Sequence, residues 1–315
     1  MSGSVLVTGA AGFIGSHVCE ALLARGETVV GVDNFDPYYS AVEKRANLAG
    51  MQSLPHFSFR EFDVQNVDGW APVVAGVDRI VHLAALAGVR ASVEQPLEYV
   101  AVNVGGTVRV LAAAVQAGVR QFVFASTSSV YGQAAEFPFR EDFPADRPLA
   151  PYPATKRAAE MLAHAFHVAH GLNVSVLRFF SVYGPRGRPD MMPRLLAQSL
   201  LHGSSVSLFS GGQMWRDWTY VSDIVAGVLG ALDTPRGYEI YNLGCGMPVL
   251  MADFVAQLER LAGRKANVRS IPAPASEVVR TGADITKAAA QAAINWRALR
   301  TVSAWMGSVC MIEWL

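Results

Sequence analysis

Three glycines spaced three apart, Gly9, Gly12 and Gly15, follow the apolar run Ser4–Thr8 directly and open the helical stretch Phe13–Ala24. A strand that turns at once into a helix through such a loop demands a parallel α/β arrangement. The first glycine makes the tight turn, the second lets backbone approach a bound pyrophosphate, and the third allows close helix–strand packing. The free amides at the helix start carry a partial positive charge suited to phosphate. Asp33 closes the next apolar run, 24 residues after Gly9. A carboxylate there accepts hydrogen bonds from a ribose 2′-hydroxyl and repels a 2′-phosphate, which selects NAD over NADP. Asp63, just after the third run, is a candidate partner for the adenine end.

The alternation continues through the first half. Short apolar runs at residues 28–32, 56–61, 79–83, 121–125 and 173–179 alternate with helical stretches, of which 95–117 and 152–170 are the longest. Nearly continuous apolar runs are expected when helices cover both faces of a sheet. The predicted fold is α/β, a Rossmann-type doubly wound parallel sheet with a smaller C-terminal substrate-binding domain. After Phe179 the texture changes: residues 181–212 are rich in Gly, Pro and Arg, with one helical stretch at 192–201. The expected organisation is an NAD-binding domain over 1–180, a return to it over 224–246, and a substrate-binding domain mainly over 181–315.

Composition narrows the partners. The 315 residues are 51% hydrophobic and 17% charged with zero formal net charge, which argues against nucleic acid or an anionic membrane as a general partner. No apolar run approaches the ~20 residues that span a bilayer. Met1, Ser2, Gly3 and Ser4 lack the basic start of a signal peptide. Cys19, Cys245 and Cys310 are scattered, without metal-site or disulfide spacing, so the expectation is buried thiols, no metal and a cytoplasmic protein.

Tyr152 and Lys156 are four apart on a helical stretch and therefore share a face. A lysine cation there, with the cationic nicotinamide ring, is expected to lower the phenol's pKa. The tyrosine could then take a proton from a sugar hydroxyl as hydride leaves for the cofactor. Alone, this pair also suits an ordinary amphipathic helix with a solvated lysine. It gains weight from Ser126-Thr127-Ser128-Ser129-Val130-Tyr131-Gly132 at a strand's carboxyl end, the edge where ligands bind in open α/β sheets.

In these segments the chain resembles the extended short-chain dehydrogenase/reductases, specifically the NAD-dependent epimerase/dehydratase family. The resemblance runs from residue 4 to about 287. It rests on the glycine loop, His82-Leu83-Ala84-Ala85, Asn103, the Ser/Thr run, Tyr152 with Lys156, and Leu177-Arg178-Phe179-Phe180. Val182-Tyr183-Gly184-Pro185 and Arg216-Asp217-Trp218-Thr219-Tyr220 extend it. It implies Tyr152 as base and then acid, Thr127 as a hydroxyl on the reacting sugar oxygen, and Lys156 as the third catalytic group. It further implies cofactor contacts from Phe13, Ile14, Asn34, Val64, Leu83, Ala84, Ala85, Asn103 and Ser126, beside the glycines, Asp33, Asp63, Tyr152 and Lys156. Tyr131 is expected to be a packing residue, and His82 a structural one.

Dehydratases of the family carry an Asp-Glu pair after the Thr127 position, and decarboxylating members carry a Glu. Here Ser128 and Ser129 stand instead, and neither titrates near neutrality. Reversible hydride transfer at C4 of a UDP-sugar is the economical expectation. Gly187-Arg188-Pro189-Asp190-Met191, Asp33-Asn34-Phe35-Asp36 with Tyr38-Tyr39, and Ala87-Gly88-Val89-Arg90 resemble the UDP-glucuronate 4-epimerases. The resemblance implies Arg188 on a sugar carboxylate, helped by Ser181, with Arg90, Ser128 and Ser129 also at the substrate, and Arg216 and Arg280 on the diphosphate. The family's Pro-Gly-Asp segment is replaced by Pro274-Ala275-Ser276-Glu277, which leaves the diphosphate end less defined. A neutral-sugar 4-epimerase, another nucleotide-sugar dehydratase or reductase, and a non-catalytic NAD-binding protein are the alternatives. The family also implies a homodimer joined through the helices at 95–117 and 152–170.

Overall fold

The computed structural model describes residues 3–134 and 136–291; Cys310 and the segment 294–315, to which the sequence assigns no site, lie outside the described residues. The first half of the chain runs through β1 (Ser4–Thr8), α1 (Phe13–Ala24), β2 (Thr28–Asp33), α2 (Ala41–Ala49), β3 (Phe57–Glu61), α3 (Trp70–Val74) and β4 (Arg79–His82). α4 (Val89–Glu94), α5 (Pro96–Tyr99), a π-helical turn (Val100–Gly106) and α6 (Thr107–Gln116) lead to β5 (Gln121–Thr127), α7 (Pro151–His170) and β6 (Val174–Phe179). Then come β7 (Ser181–Tyr183), α8 (Met192–His202), β8 (Ser205–Phe209), β9 (Trp215–Arg216), β10 (Trp218–Tyr220) and α9 (Val221–Asp233). β11 (Tyr238–Leu243), β12 (Val249–Leu250), α10 (Met251–Ala262) and β13 (Asn267–Ile271) follow.

Seven parallel strands form the main sheet in the order β11-β6-β5-β4-β1-β2-β3. Successive strands add outward in one direction from β1 to β3 and in the other from β4 to β6, so the order reverses between β1 and β4. At that switch point the connections leave the sheet to opposite sides and open a crevice at the carboxyl ends. Both faces are buried. α1 and α9 bring Val18, Leu22, Ile224 and Val228 to one face, while α6 and α7 bring Val110, Leu111, Ala159 and Ala163 to the other. This is why the strands read as continuous apolar runs rather than alternating ones.

A separate core forms beside the sheet, where Leu196, Leu200, Val206, Leu258 and Phe254 pack together and Trp218 stacks on Phe254 at 4.9 Å. β8 and β13 pair over it. β6 passes through Phe180 alone into β7, which pairs with β10. α9 and β11 then rejoin the main sheet, β11 beside β6.

The helix expected at 95–117 is a continuous helical run over Pro96–Gln116, in which α5, a π turn and α6 follow without a break. The Asn103 amide is spent there on the Leu86 backbone, at 2.9 Å to its N–H and 3.0 Å to its carbonyl. The pair Gly105-Gly106 tolerates the wider turn, and a Cβ on Gly106 would lie 2.8 Å from Val64. The expectation of no membrane-length run is corrected. Pro96–Gln116 is a helix of 21 residues holding an 18-residue window of mean hydropathy 1.2, long and apolar enough by length and composition. Val110, Leu111 and Ala114 of that stretch lie within the packed core against the sheet.

Candidate active site

The crevice at the switch point is a cavity of about 690 Å³. Gly9 adopts φ +71°, and a Cβ on it would stand 2.8 Å from the Ala84 amide nitrogen. A Cβ on Gly15 would be 2.0 Å from the Gly9 carbonyl oxygen, so only glycine lets α1 start this close to β1. Asp33 ends β2 at the cavity. Its Oδ2 accepts from the Ala11 amide at 3.1 Å and its Oδ1 from the Phe35 amide at 2.8 Å. Burial pushes this carboxyl up, while the two amides and Lys44 hold it down. Each oxygen retains acceptor capacity for a ribose hydroxyl.

The structure gathers most of the expected residues around this one space. Gly9, Gly12, Phe13, Ile14, Gly15, Asp33, Asn34, Val64, Leu83, Ala84, Ala85, Ser126, Tyr152 and Lys156 line it, as do Arg90, Thr127, Ser128, Ser129, Ser181 and Arg188. Four do not. Asp63 accepts from the Asn34 amide at 2.9 Å and from the Gln65 N–H at 2.7 Å. Asn103 is fully buried, holding Leu86 and the Thr155 hydroxyl. Arg216 donates to Glu277 at 2.9 Å and to the Val278 carbonyl at 2.8 Å. Arg280 lies exposed over the Phe137 ring at 3.7 Å. Glu277, in the segment that departs from the family pattern, is thus the acid that engages the expected diphosphate arginine.

Thr127 sits at the end of β5, and Tyr152 and Lys156 project from the first turns of α7. Burial raises the Tyr152 phenol above its ordinary value, with the Arg188 guanidinium and the Thr127 hydroxyl acting the other way. The expected depression by Lys156 is therefore not produced by the protein alone. The Lys156 ammonium lies over the Phe124 ring at 4.4 Å, and burial pushes its own pKa down to about 7 against the opposing pull of Glu160. Desolvation outweighs charge pairing at both groups.

Arg188 reaches the cavity wall joined to Asp190 by two bonds, Nε to Oδ1 at 3.0 Å and Nη2 to Oδ2 at 2.8 Å. Tyr38 donates to the same Asp190 Oδ2 at 3.0 Å. Burial raises the Asp190 carboxyl, but the Arg188 fork more than offsets it and holds it below its ordinary value. Tyr38, Tyr39, Lys44 and Asp190 line the cavity and were not singled out by the sequence reading. The tyrosines stood in a segment used only for likeness, and the Arg188/Asp190 spacing of two was the available signal.

Supporting residues surround the site. His82 is bonded at both ring nitrogens, to Thr8 at 2.7 Å and Thr107 at 3.0 Å, and burial pushes its pKa down to about 3. Tyr131 is buried and donates to Asn242 at 2.7 Å. Cys19 and Cys245 are buried free thiols. Among the described residues no cluster of three His, Cys, Asp or Glu is set to hold a metal.

A dinucleotide fits the residues present. Gly12 leaves open the space its Cβ would fill, 3.8 Å from the Tyr39 hydroxyl. That hydroxyl is buried without a hydrogen-bond partner among the described residues. A phosphate acceptor at the start of α1 would satisfy it.

Known proteins match the chain in sequence and in fold. The profile of the NAD dependent epimerase/dehydratase family matches residues 5–244. A UDP-glucuronate 4-epimerase of Thermodesulfobacterium geofontis is 41% identical over 298 residues, covering 93% of this chain and 91% of its own. The UDP-glucuronic acid 4-epimerase of Bacillus cereus, solved with UDP-glucuronic acid and NAD, superposes with TM-score 0.88 at 34% identity over 96% of this chain and 99% of its own. MoeE5, solved with UDP-glucuronic acid and NAD, superposes with TM-score 0.87 at 37% identity over 99% of this chain and 98% of its own.

Proposed function

The chain belongs to the NAD dependent epimerase/dehydratase family, and from that premise we propose that it interconverts UDP-glucuronate and UDP-galacturonate by reversible inversion at C4. The observation that carries this reading is one cavity shared by Thr127, Tyr152 and Arg188 with the glycine loop and Asp33. Gly9, Gly12, Gly15, Asp33 and Lys156 would hold NAD, which supplies the hydride acceptor and donor for C4. Tyr152, ionised once the cationic nicotinamide ring adds to the pull of Arg188 and Thr127 on its phenol, would take the proton from the C4 hydroxyl and return it to the inverted alcohol. Thr127 hydrogen-bonds the reacting oxygen and keeps it beside the phenol. Arg188 and Ser181 hold the sugar carboxylate, since an arginine fork matches that anion. Ser128 and Ser129 offer hydroxyls where elimination would need a second acid and base.

Purified protein given UDP-glucuronate without added NAD should form UDP-galacturonate, read from the anomeric NMR signals. Absence of product in protein shown to contain NAD would overturn the reading. The pairing of Arg188 with Asp190 favours a second reading, a 4-epimerase of a neutral UDP-hexose, because it offsets the cation. Faster turnover of UDP-glucose than of UDP-glucuronate would select it.

The same reading includes a cytoplasmic homodimer. Val93, Leu97 and Val100 are exposed before α6, and Met161 and Val168 are exposed seven apart on α7. Large apolar residues on neighbouring helices suit a helical interface between two copies. Light scattering should give about twice the 33.8 kDa chain mass. The free buried thiols support a reducing compartment.

A further inference from the structure

A guanidinium presents two edges that can each take a carboxylate, one through Nε and Nη2 and the other through Nη1 and Nη2. In this protein the first edge of Arg188 is occupied by Asp190, through bonds of 3.0 and 2.8 Å. Nη2 also lies 3.7 Å from the Met191 sulfur, and among the described residues Nη1 makes no hydrogen bond. Tyr38 fixes the carboxylate from the other side at 3.0 Å, and its ring lies under the guanidinium at 5.6 Å. Tyr38 and Asp190 are 152 residues apart in sequence, yet both line the cavity.

The loop behind them is fastened to the cofactor side. Arg186 pairs with Glu20 of α1 at 2.6 Å, and Arg194 pairs with Glu43 of α2 through bonds of 2.8 and 2.9 Å. Arg194 also donates to the Gly187 carbonyl at 3.0 Å. The backbone around Arg188 is held on both flanks, leaving the orientation of its side chain to Asp190 and Tyr38.

We infer that Asp190 is a positioning residue for anion recognition: with Tyr38 it occupies one edge of the Arg188 guanidinium and aims the other edge at a carboxylate on the ligand. The inference rests on the proposed uronate substrate and adds what gives that subsite its direction. Arg188 and Asp190 side chains are 23% and 40% exposed, so charge alone would be screened. The parallel bonds and the third contact from Tyr38 supply the geometry that a single surface pair lacks. A competing role predicts the opposite sign. Were Asp190 a decoy that the ligand's carboxylate must displace, removing its charge would tighten binding.

Isothermal titration of the NAD-containing protein with UDP-glucuronate and with UDP-glucose, the neutral counterpart, separates these outcomes. Asp190→Asn keeps the shape but places an amide NH₂ against an arginine donor. It should weaken UDP-glucuronate binding about five- to tenfold, on the order of one ordinary hydrogen bond, and leave UDP-glucose within about twofold. Tyr38→Phe, which removes one oxygen, should act in the same direction by about two- to threefold and covers the case of an Asp190 variant that does not fold. Tighter or unchanged UDP-glucuronate binding, or equal weakening of both ligands, overturns the inference. The unmodified protein is assayed first for UDP-galacturonate formation. Failure there defeats the proposed function, whereas failure of the variants alone defeats the role of Asp190.

Discussion

Arg178 and Glu160 meet across the junction of β6 and α7 through two bonds, Nε to Oε1 at 3.1 Å and Nη2 to Oε2 at 2.8 Å, with side chains 1% and 0% exposed. The same Glu160 accepts from the Ser126 hydroxyl at 2.5 Å and from Arg157 at 2.9 Å. It ties the helix bearing Tyr152 and Lys156 to the strand that ends at Thr127. Glu160→Ala should leave the Arg178 charge buried and lower stability by about 3–5 kcal/mol, measured as a shift of the urea midpoint. Glu160→Leu combined with Arg178→Met should cost much less. Equal losses in the two variants would show that the pair acts through packing alone.

Stability should depend on pH through Lys156. Its pKa in the folded protein, about 7, lies below the ordinary 10.5 of an exposed lysine. Between those values the unfolded chain binds more protons, so stability rises as pH increases. The gain should be about 2 kcal/mol from pH 7 to 9 in the NAD-free protein. Above that range the buried thiols oppose it, since burial raises Cys19 and Cys245 and their ionisation favours unfolding. Lys156→Met should abolish the climb and raise the melting temperature at pH 7. A climb that persists in this variant would assign the titration elsewhere.

Tyr152→Phe removes the proton carrier and leaves the ring. Turnover should fall by roughly 10²–10⁴-fold, with the dissociation constant of UDP-glucuronate within a few-fold of the unmodified value. A variant that keeps a tenth of the activity would move the base to another group.

Gly15→Ala would drive a Cβ to 2.0 Å from the Gly9 carbonyl oxygen. The glycine loop or α1 must then shift, at a cost of about 1–3 kcal/mol. The expected result is a lower thermal midpoint together with loss of NAD from the purified protein, read by ultraviolet absorbance after denaturation. Full NAD content would show that the loop gives way without harm.

Legibility in the sequence followed the range of the interactions. Ser4–Thr8 and Phe13–Ala24 have the bounds expected of them, because apolar runs and glycine stops are local signals. The π turn at Val100–Gly106 is not legible, since Asn103 within it bonds Leu86, a segment far from the helix in sequence. Arg216 and Glu277 are 61 apart, and no local pattern announces their pairing. The Tyr38–Asp190 bond, across 152 residues, has no local signal either. Lys156 differs: its spacing from Tyr152 is plain in the sequence, but the burial that dominates both groups is a property of the assembled fold.

Phe180 is the sole residue between β6 of the main sheet and β7 of the smaller one. With only that residue between them, Phe179 and Ser181 line the same crevice from two different sheets. A ketone that must offer both faces to a fixed partner meets, at this point, two strands joined without an intervening loop. Turning over would then fall to the torsions of the ligand's own diphosphate tether.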